Sequence, residues 1–118
     1  RILSDVQNIS LIEPLGYLLF LKLLDKAYCV LTDSGGIQEE APSLGLPVLV
    51  MRDVTERQEA VDAGIVKLVG SDRNLIIQSV RELVEDPGLH QKMSTSYNPY
   101  GDGNASIKIC NIISEALD

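Results

Sequence analysis

Aromatic residues are scarce in this chain of 118 residues, which contains no tryptophan and a single phenylalanine. Hydrophobic residues still make up 45% of the sequence, so its core must consist of leucine, isoleucine and valine. An aliphatic core favours a parallel α/β sheet over an aromatic-rich β-sandwich. The length suits one domain, since domains commonly contain about 100–150 residues.

Basic residues are also few. Ten lysines and arginines stand against seventeen acidic residues, which gives a formal net charge of −7 at pH 7. This charge disfavours nucleic-acid binding, whose electrostatic footprint is basic, and we expect no nucleic-acid partner. A single anionic nucleotide can still bind an acidic chain through local backbone N–H groups and a well-placed arginine.

The residues that usually bind metals are sparse. Cys29 and Cys110 form no CxxC pair, and His90 is the only histidine. We therefore expect no metal and no cofactor, reduced buried thiols rather than a disulfide, and a structural role for His90. Asp102 is a lone carboxylate, and the loop around it is better explained as a turn before the last helix.

No segment predicts a membrane span or a signal peptide. The most apolar stretch, 15–24, is too short to cross a bilayer and contains Lys22. The N-terminal residues have one arginine and soon reach Asp5, unlike a secretory signal. We expect a cytoplasmic protein.

Strand-like and helix-like segments alternate along the chain. The predicted strands are 9–12, 28–32, 47–51 and 65–69. The predicted helices begin at Pro14, after Gly36, at a Thr55–Gln58 capping box, and at Ser71 or Asp72; a short helix spans 89–95, a loop 96–103 and a final helix 104–117. Alternation with apolar strands predicts a parallel sheet buried on both faces. Four strands are fewer than a doubly wound domain usually has, which indicates a Rossmann-like domain without its first unit.

The most informative segment is the turn after the second strand. Ser34, Gly35 and Gly36 connect that strand to a helix, so backbone N–H groups lie at a positive helix end and form a phosphate site. The alternative is a tight turn that binds nothing. Pro42 should kink or shorten the helix, which either aims its glycine end at a ligand or simply ends it.

The run DSGGIQEEAPSLGLPVLVMRDVTERQEA, residues 33–60, closely resembles the UDP-N-acetylglucosamine 2-epimerase family, and NPYGDGNA, residues 98–105, matches it again. The resemblance extends from about residue 9 to the end, but only over the C-terminal part of a family member. It implies that residues 1–118 are a partial C-terminal UDP-binding domain of a GT-B fold. It also implies a missing N-terminal domain as partner and a homodimeric parent protein.

The resemblance assigns candidate binding residues. It places the UDP pyrophosphate at Ser34, Gly35 and Gly36, with Arg57 close to the phosphates. Glu40 would bind the ribose hydroxyls, and Phe20 would lie beside the uracil. Each has a structural alternative: Phe20 a core residue, Glu40 a solvated one like Glu39, and Arg57 a surface residue paired with Asp53 or Glu56. Arg52 and Asp53 are weaker candidates that would orient Arg57 or stabilise its loop.

The implied reaction interconverts UDP-GlcNAc and UDP-ManNAc. UDP is eliminated to leave a 2-acetamidoglucal and is added back after protonation of C2 from the opposite face. The family's acids and bases lie mainly upstream, so no catalytic residue is assigned and the chain alone should be inactive. The alternatives are another GT-B enzyme, such as a glycosyltransferase, or a non-catalytic nucleotide-binding or interaction module.

Overall fold

The fold is a three-stranded parallel sheet with helices on both faces. A computed structural model describes residues 2–95, 99 and 104–117. The elements follow in this order: α1 (Tyr17–Asp25), β1 (Val30–Thr32), α2 (Gly35–Glu40), a 3₁₀ turn (Ala41–Leu44), β2 (Val48–Val50), α3 (Gln58–Asp62), β3 (Val66–Leu68), α4 (Arg73–Glu85), α5 (Pro87–Ser94) and α6 (Ala105–Leu117).

The strands lie in the order β1-β2-β3 and pair in parallel, with Val48 of β2 opposite Val30 on one side and Val66 on the other. The prediction of a parallel α/β sheet is therefore confirmed. All three carboxyl ends meet at one edge of the sheet. Ligands of open α/β sheets bind at this edge.

Both faces of the sheet are covered. Val48 and Val50 point into one aliphatic cluster with Leu24 of α1 and Ala60 of α3. Leu49 points the other way, where Leu83, Met93 and Val69 complete a second cluster. Alternate residues of one apolar strand thus enter different cores, as its continuous run of apolar residues predicted.

The predicted strand at residues 9–12, all of which the structure describes, does not form. These residues form no ladder, and Ile9, Leu11 and Ile12 are exposed. A β-like sequence becomes a strand only when a neighbouring backbone accepts and donates its hydrogen bonds. β1 is an edge strand here, so the expected four strands are three.

Two helices start later along the chain than predicted. The first helix begins at Tyr17 rather than Pro14, because Gly16 before it is extended, with ψ of 159°. The Thr55–Gln58 capping box is wrong. Gln58 instead bonds Asp62 within α3, and Thr55 accepts a hydrogen bond from the N–H of Arg57, which precedes that helix.

Other helix boundaries follow their sequence signals. Asp72 caps α4, Gly64 follows α3 with φ of +86°, and α2 ends at Glu40, shortly before Pro42. α5 starts at Pro87, two residues earlier than predicted, because Asp86 caps it and proline fits a first helical turn. The predicted loop 96–103 lies outside the described residues except for Pro99.

His90 has a structural role. Its ring stacks on Tyr28 with centroids 3.8 Å apart, and its Nε2 lies 2.6 Å from the Tyr28 carbonyl oxygen. The Tyr28 hydroxyl in turn donates to the carbonyl of Leu83. These contacts fasten α4 and α5 to the segment that leads into β1.

Candidate functional site

The candidate site is built from two loops that leave the carboxyl ends of β1 and β2. The first loop is the glycine turn, defined as residues 33–36. The second is the arginine loop, residues 51–57. Because the strands are parallel neighbours, both loops emerge side by side at one edge of the sheet.

The glycine turn is shaped by Thr32, the buried last residue of β1. Its hydroxyl oxygen accepts a hydrogen bond of 3.0 Å from the N–H of Ser34. Ser34 then takes the N-cap position of α2 in an extended conformation. The turn therefore presents Ser34, Gly35 and Gly36 at the start of the helix, as the sequence predicted.

Arg57 lies directly against this turn. A Cβ built on Gly35 would fall 2.7 Å from Nη1 of Arg57 and 2.9 Å from its Cζ. The guanidinium therefore occupies the space that a side chain at position 35 would need. Fourteen residues separate the two loops in sequence, but the fold brings their proposed anion-binding groups into contact.

Arg57 is held by acidic partners. Its Nε donates to Oε1 of Glu39 at 2.8 Å, and Nη1 lies 3.6 Å from Oε2 of Glu56. Glu39 is exposed on its helix, as expected, and its carboxylate also pairs with the arginine. Glu39 lies on the side of the short helix α2 that faces Arg57, which explains the pairing. No local sequence pattern predicts this contact.

Glu40 and Phe20 are the remaining candidate binding residues. Glu40 is the partly buried last residue of α2, and its carbonyl oxygen accepts a hydrogen bond from Ser43. Phe20 is also partly buried, and it packs on the aliphatic cluster beneath β2. It borders a groove that is also lined by Ile12, Pro14 and Leu15. Contact of Phe20 with uracil stays a prediction.

Asp53 lies close to the loop that follows β3. A Cβ on Gly70, whose φ is +60°, would lie 2.6 Å from Oδ1 of Asp53, and the Gly70 N–H donates to the Arg52 carbonyl. The arginine loop is thereby fastened to the loop after β3. Within residues 2–95, 99 and 104–117, no three His, Cys, Asp or Glu side chains come together as a metal site.

Gln38 and Thr55 were not predicted as residues of the site. Gln38 is fully buried, and its side chain joins Ser34 to Thr55. The only available signal was a glutamine on the inward side of α2, four residues after the turn. A polar residue at a core-facing position needs hydrogen-bond partners, and here both partners lie in the two site loops.

The sequence profile of the UDP-N-acetylglucosamine 2-epimerase family matches residues 1–114. The chain belongs to this family. The UDP-N-acetylglucosamine 2-epimerase of Escherichia coli K12 is 57% identical over 117 residues, which are 99% of this chain and 30% of that protein. The chain thus spans less than a third of the length of this relative.

Solved structures of epimerases agree. The Neisseria meningitidis UDP-GlcNAc 2-epimerase bound to UDP-GlcNAc superposes with a TM-score of 0.90 at 56% identity, over 95% of this chain and 31% of that one. The Methanocaldococcus jannaschii UDP-GlcNAc 2-epimerase, in complex with UDP-GlcNAc and UDP, gives 0.76 at 38% identity, over 96% and 30%. The predicted GT-B, Rossmann-like class is confirmed by these epimerase neighbours and by the parallel sheet.

Proposed function

We propose that this chain forms the UDP-binding part of a UDP-GlcNAc 2-epimerase. The observation that carries the proposal is the contact between the glycine turn and Arg57 at the carboxyl ends of two parallel strands. Membership of the epimerase family supports it, as do the relatives solved with UDP-GlcNAc and UDP. On this proposal residues 1–118 are one partial, C-terminal Rossmann-like domain.

The pyrophosphate of UDP would bind between the turn and the arginine. Ser34, Gly35 and Gly36 supply a hydroxyl and backbone N–H groups, and Arg57 supplies a permanent positive charge. Glu40 would bind the ribose hydroxyls, and Phe20 would contact the uracil. No metal or cofactor takes part in this scheme.

The reaction would proceed by elimination and re-addition. A base removes the C2 proton of the sugar, the C1–O bond breaks, and UDP leaves with the bonding electrons; a proton is then delivered to the other face of C2, and UDP adds back. Arg57 and the turn would stabilise the charge that develops on departing UDP. Hydrogen bonds to a charged group contribute about 1.5–3 kcal/mol each, which corresponds to roughly 10- to 100-fold in rate or affinity.

The proposal leaves acid–base chemistry to residues outside this chain. Its partners would be a UDP-sugar and an N-terminal domain, in a homodimeric parent protein located in the cytoplasm. Within the described residues, no helix is both long and apolar enough to span a bilayer. A chain that carries only the nucleotide site would be inactive alone.

The test is a chimera in which this chain replaces the matching segment of the E. coli enzyme. We expect the chimera to convert UDP-GlcNAc to UDP-ManNAc, followed by proton NMR of the sugar, and the variant Arg57→Ala to lose roughly 10- to 100-fold in kcat/KM. Circular dichroism establishes that both proteins are folded. Transfer of the sugar to an acceptor, or a folded chimera that binds UDP but does not epimerise, would contradict the proposal.

A further inference from the structure

A buried hydrogen-bonded bridge joins the two loops of the site, and Gln38 is its centre. Gln38 has 0% exposed surface although its side chain is polar. Its Nε2 donates to the carbonyl oxygen of Ser34 at 3.3 Å. Its Oε1 accepts a hydrogen bond of 2.7 Å from the hydroxyl of Thr55. Both ends of the amide are therefore used, and each end serves a different loop.

The bridge continues to Arg57. The oxygen of Thr55 that donates to Gln38 also accepts the backbone N–H of Arg57, at 3.0 Å. An unbroken series thus runs from the Ser34 carbonyl through Gln38 and Thr55 to the Arg57 backbone. Its two ends are Ser34, in the glycine turn, and Arg57, which carries the guanidinium.

Few side chains could take the place of Gln38. The bridge needs one donor and one acceptor on a side chain that reaches across from α2. A carboxylate supplies no donor for the Ser34 carbonyl, and an aliphatic residue supplies neither group. Asparagine is shorter by one methylene. Because the position is buried, a partner left without its hydrogen bond is strongly disfavoured.

We propose that Gln38 is a positioning residue of the nucleotide site, which sets the arginine loop so that the Arg57 guanidinium lies over Gly35. This role rests on the proposed function for its ligand, but the geometry itself is independent of any ligand. The exposed Glu39–Arg57 pair holds the end of the arginine side chain, whereas the Gln38 bridge holds its backbone. The bridge therefore fixes the position of the Arg57 backbone, from which the side chain extends.

The first experiment measures the geometry in this chain without nucleotide. The Gly35 Hα protons should show a nuclear Overhauser effect to the Arg57 side-chain N–H groups. The substitution Gln38→Met keeps the side-chain length but removes both hydrogen bonds, and we expect it to abolish that signal. Gln78→Met makes the same chemical change on the exposed side of α4 and should leave the signal intact.

The second experiment measures UDP affinity and steady-state kinetics in the chimera. We expect Gln38→Met and Thr55→Val each to weaken UDP binding by about tenfold and to raise the KM for UDP-GlcNAc by a similar factor. Thr55→Ser retains the hydroxyl and should bind UDP like the unsubstituted chimera. The double variant Gln38→Met/Thr55→Val should bind no worse than either single variant, since both break the same bridge.

Two results would overturn the role of Gln38. One is a Gln38→Met chain that retains the signal between Gly35 and Arg57. The other is a Gln38→Met chimera that melts earlier but, when folded, binds UDP with unchanged affinity; Gln38 would then be merely structural. Failure of the proposed function looks different: the unsubstituted chimera would not bind UDP, while the Gly35–Arg57 signal would still depend on Gln38.

Discussion

The two adjacent glycines of the turn meet different surroundings. A Cβ on Gly35 would collide with the guanidinium of Arg57, whereas a Cβ on Gly36 would have Ser34 Oγ as its nearest neighbour, at 3.9 Å. Either glycine could keep space for an anion, because a Cβ would hold the anion away from the backbone. The structure shows that Gly35 makes room for the arginine. An approaching phosphate would therefore depend on the small size of Gly36.

We predict that Gly35→Ala weakens UDP binding by roughly tenfold with little loss of thermal stability. The new methyl group displaces the end of a flexible side chain, which costs little, but the arginine loses its position over the turn. Calorimetric titration with UDP and a thermal melt of the same chimera separate the two effects. A large fall in melting temperature with unchanged affinity for UDP would contradict this prediction.

Gly36→Ala provides the comparison at the next residue. It meets no close protein atom, so the melting temperature should again stay nearly constant. Affinity should fall because the methyl group enters the space proposed for the pyrophosphate. If UDP bound this variant as tightly as the unsubstituted chimera, the pyrophosphate would have to lie elsewhere.

The two free cysteines should differ in reactivity. Burial raises the pKa of the Cys29 thiol, which packs beside the cluster under α4. Cys110 is exposed on α6, so the expectation of buried thiols is wrong for this residue. We expect iodoacetamide at pH 8 to alkylate Cys110 about tenfold or more faster than Cys29, since the thiolate is the reactive form. Mass spectrometry of timed samples measures both rates, with Cys110→Ser as the control.

The raised pKa also sets the sign of a pH effect on stability. The folded state retains the Cys29 proton at a pH where the unfolded state has lost it. The protonated Cys29 thiol therefore contributes to the free energy of unfolding. This contribution is fully present below the pKa of the thiol in the unfolded state, and it is lost as the pH rises through the pKa in the folded state. Faster labelling of Cys29 than of Cys110 in folded protein would contradict the burial on which both statements rest.

At the scale of elements, the cap of α4 offers a direct stability test. Oδ1 of Asp72 accepts hydrogen bonds from the N–H groups of Asn74 and Leu75, at 2.8 and 3.1 Å. We expect Asp72→Ala to lower the free energy of unfolding by about 1 kcal/mol, as N-cap replacements usually do. Ser71→Ala leaves both hydrogen bonds in place, and urea denaturation of the two variants should show the difference. Equal stabilities would contradict the cap.

Strong local signals predicted most elements correctly. The apolar runs became β1, β2 and β3, and Gly64, Asp72 and Pro42 marked helix ends close to where they occur. Two of the errors share one cause. Residues 9–12 lacked a partner strand, and Thr55 used its hydroxyl on Gln38 rather than as a helix cap. Tertiary partners decided both cases, and a local pattern does not specify them.

The candidate site was predictable to a similar degree. Ser34, Gly35, Gly36 and Arg57 carry recognisable phosphate-binding chemistry, and the fold brings them together. Gln38, Thr55 and Glu39 connect them through contacts between residues 17 and 18 positions apart. Such contacts depend on the register of two parallel strands, which sequence spacing alone does not give.

At the scale of the whole molecule, much apolar surface is exposed. α6 has no buried residue, and Ile107, Ile109, Ile112, Ile113 and Leu117 are all exposed. The centre of the sheet is the opposite case, since β2 is fully buried between its neighbours. Stability is therefore distributed very unevenly along the chain.

We predict that amide hydrogens of α6 exchange at least roughly 100-fold faster than those of β2 in this chain. A helix of 13 residues with no buried residue is marginally stable in water, whereas the β2 amides open only with the core. Hydrogen–deuterium exchange followed by mass spectrometry measures both segments in one sample. Equal protection of α6 and β2 in this chain would contradict the prediction, because it would mean that α6 is packed. In the chimera, α6 should be protected if residues of the E. coli part cover it.

The central claim is that UDP binds where the glycine turn meets Arg57. Its most direct test is a titration of this chain with UDP, monitored by ¹H–¹⁵N chemical shifts. The account predicts shifts concentrated at residues 34–37, Glu40 and the Arg57 side chain, and their loss in Arg57→Ala. Shifts that cluster elsewhere, or none in either the folded chain or the folded chimera, would contradict it.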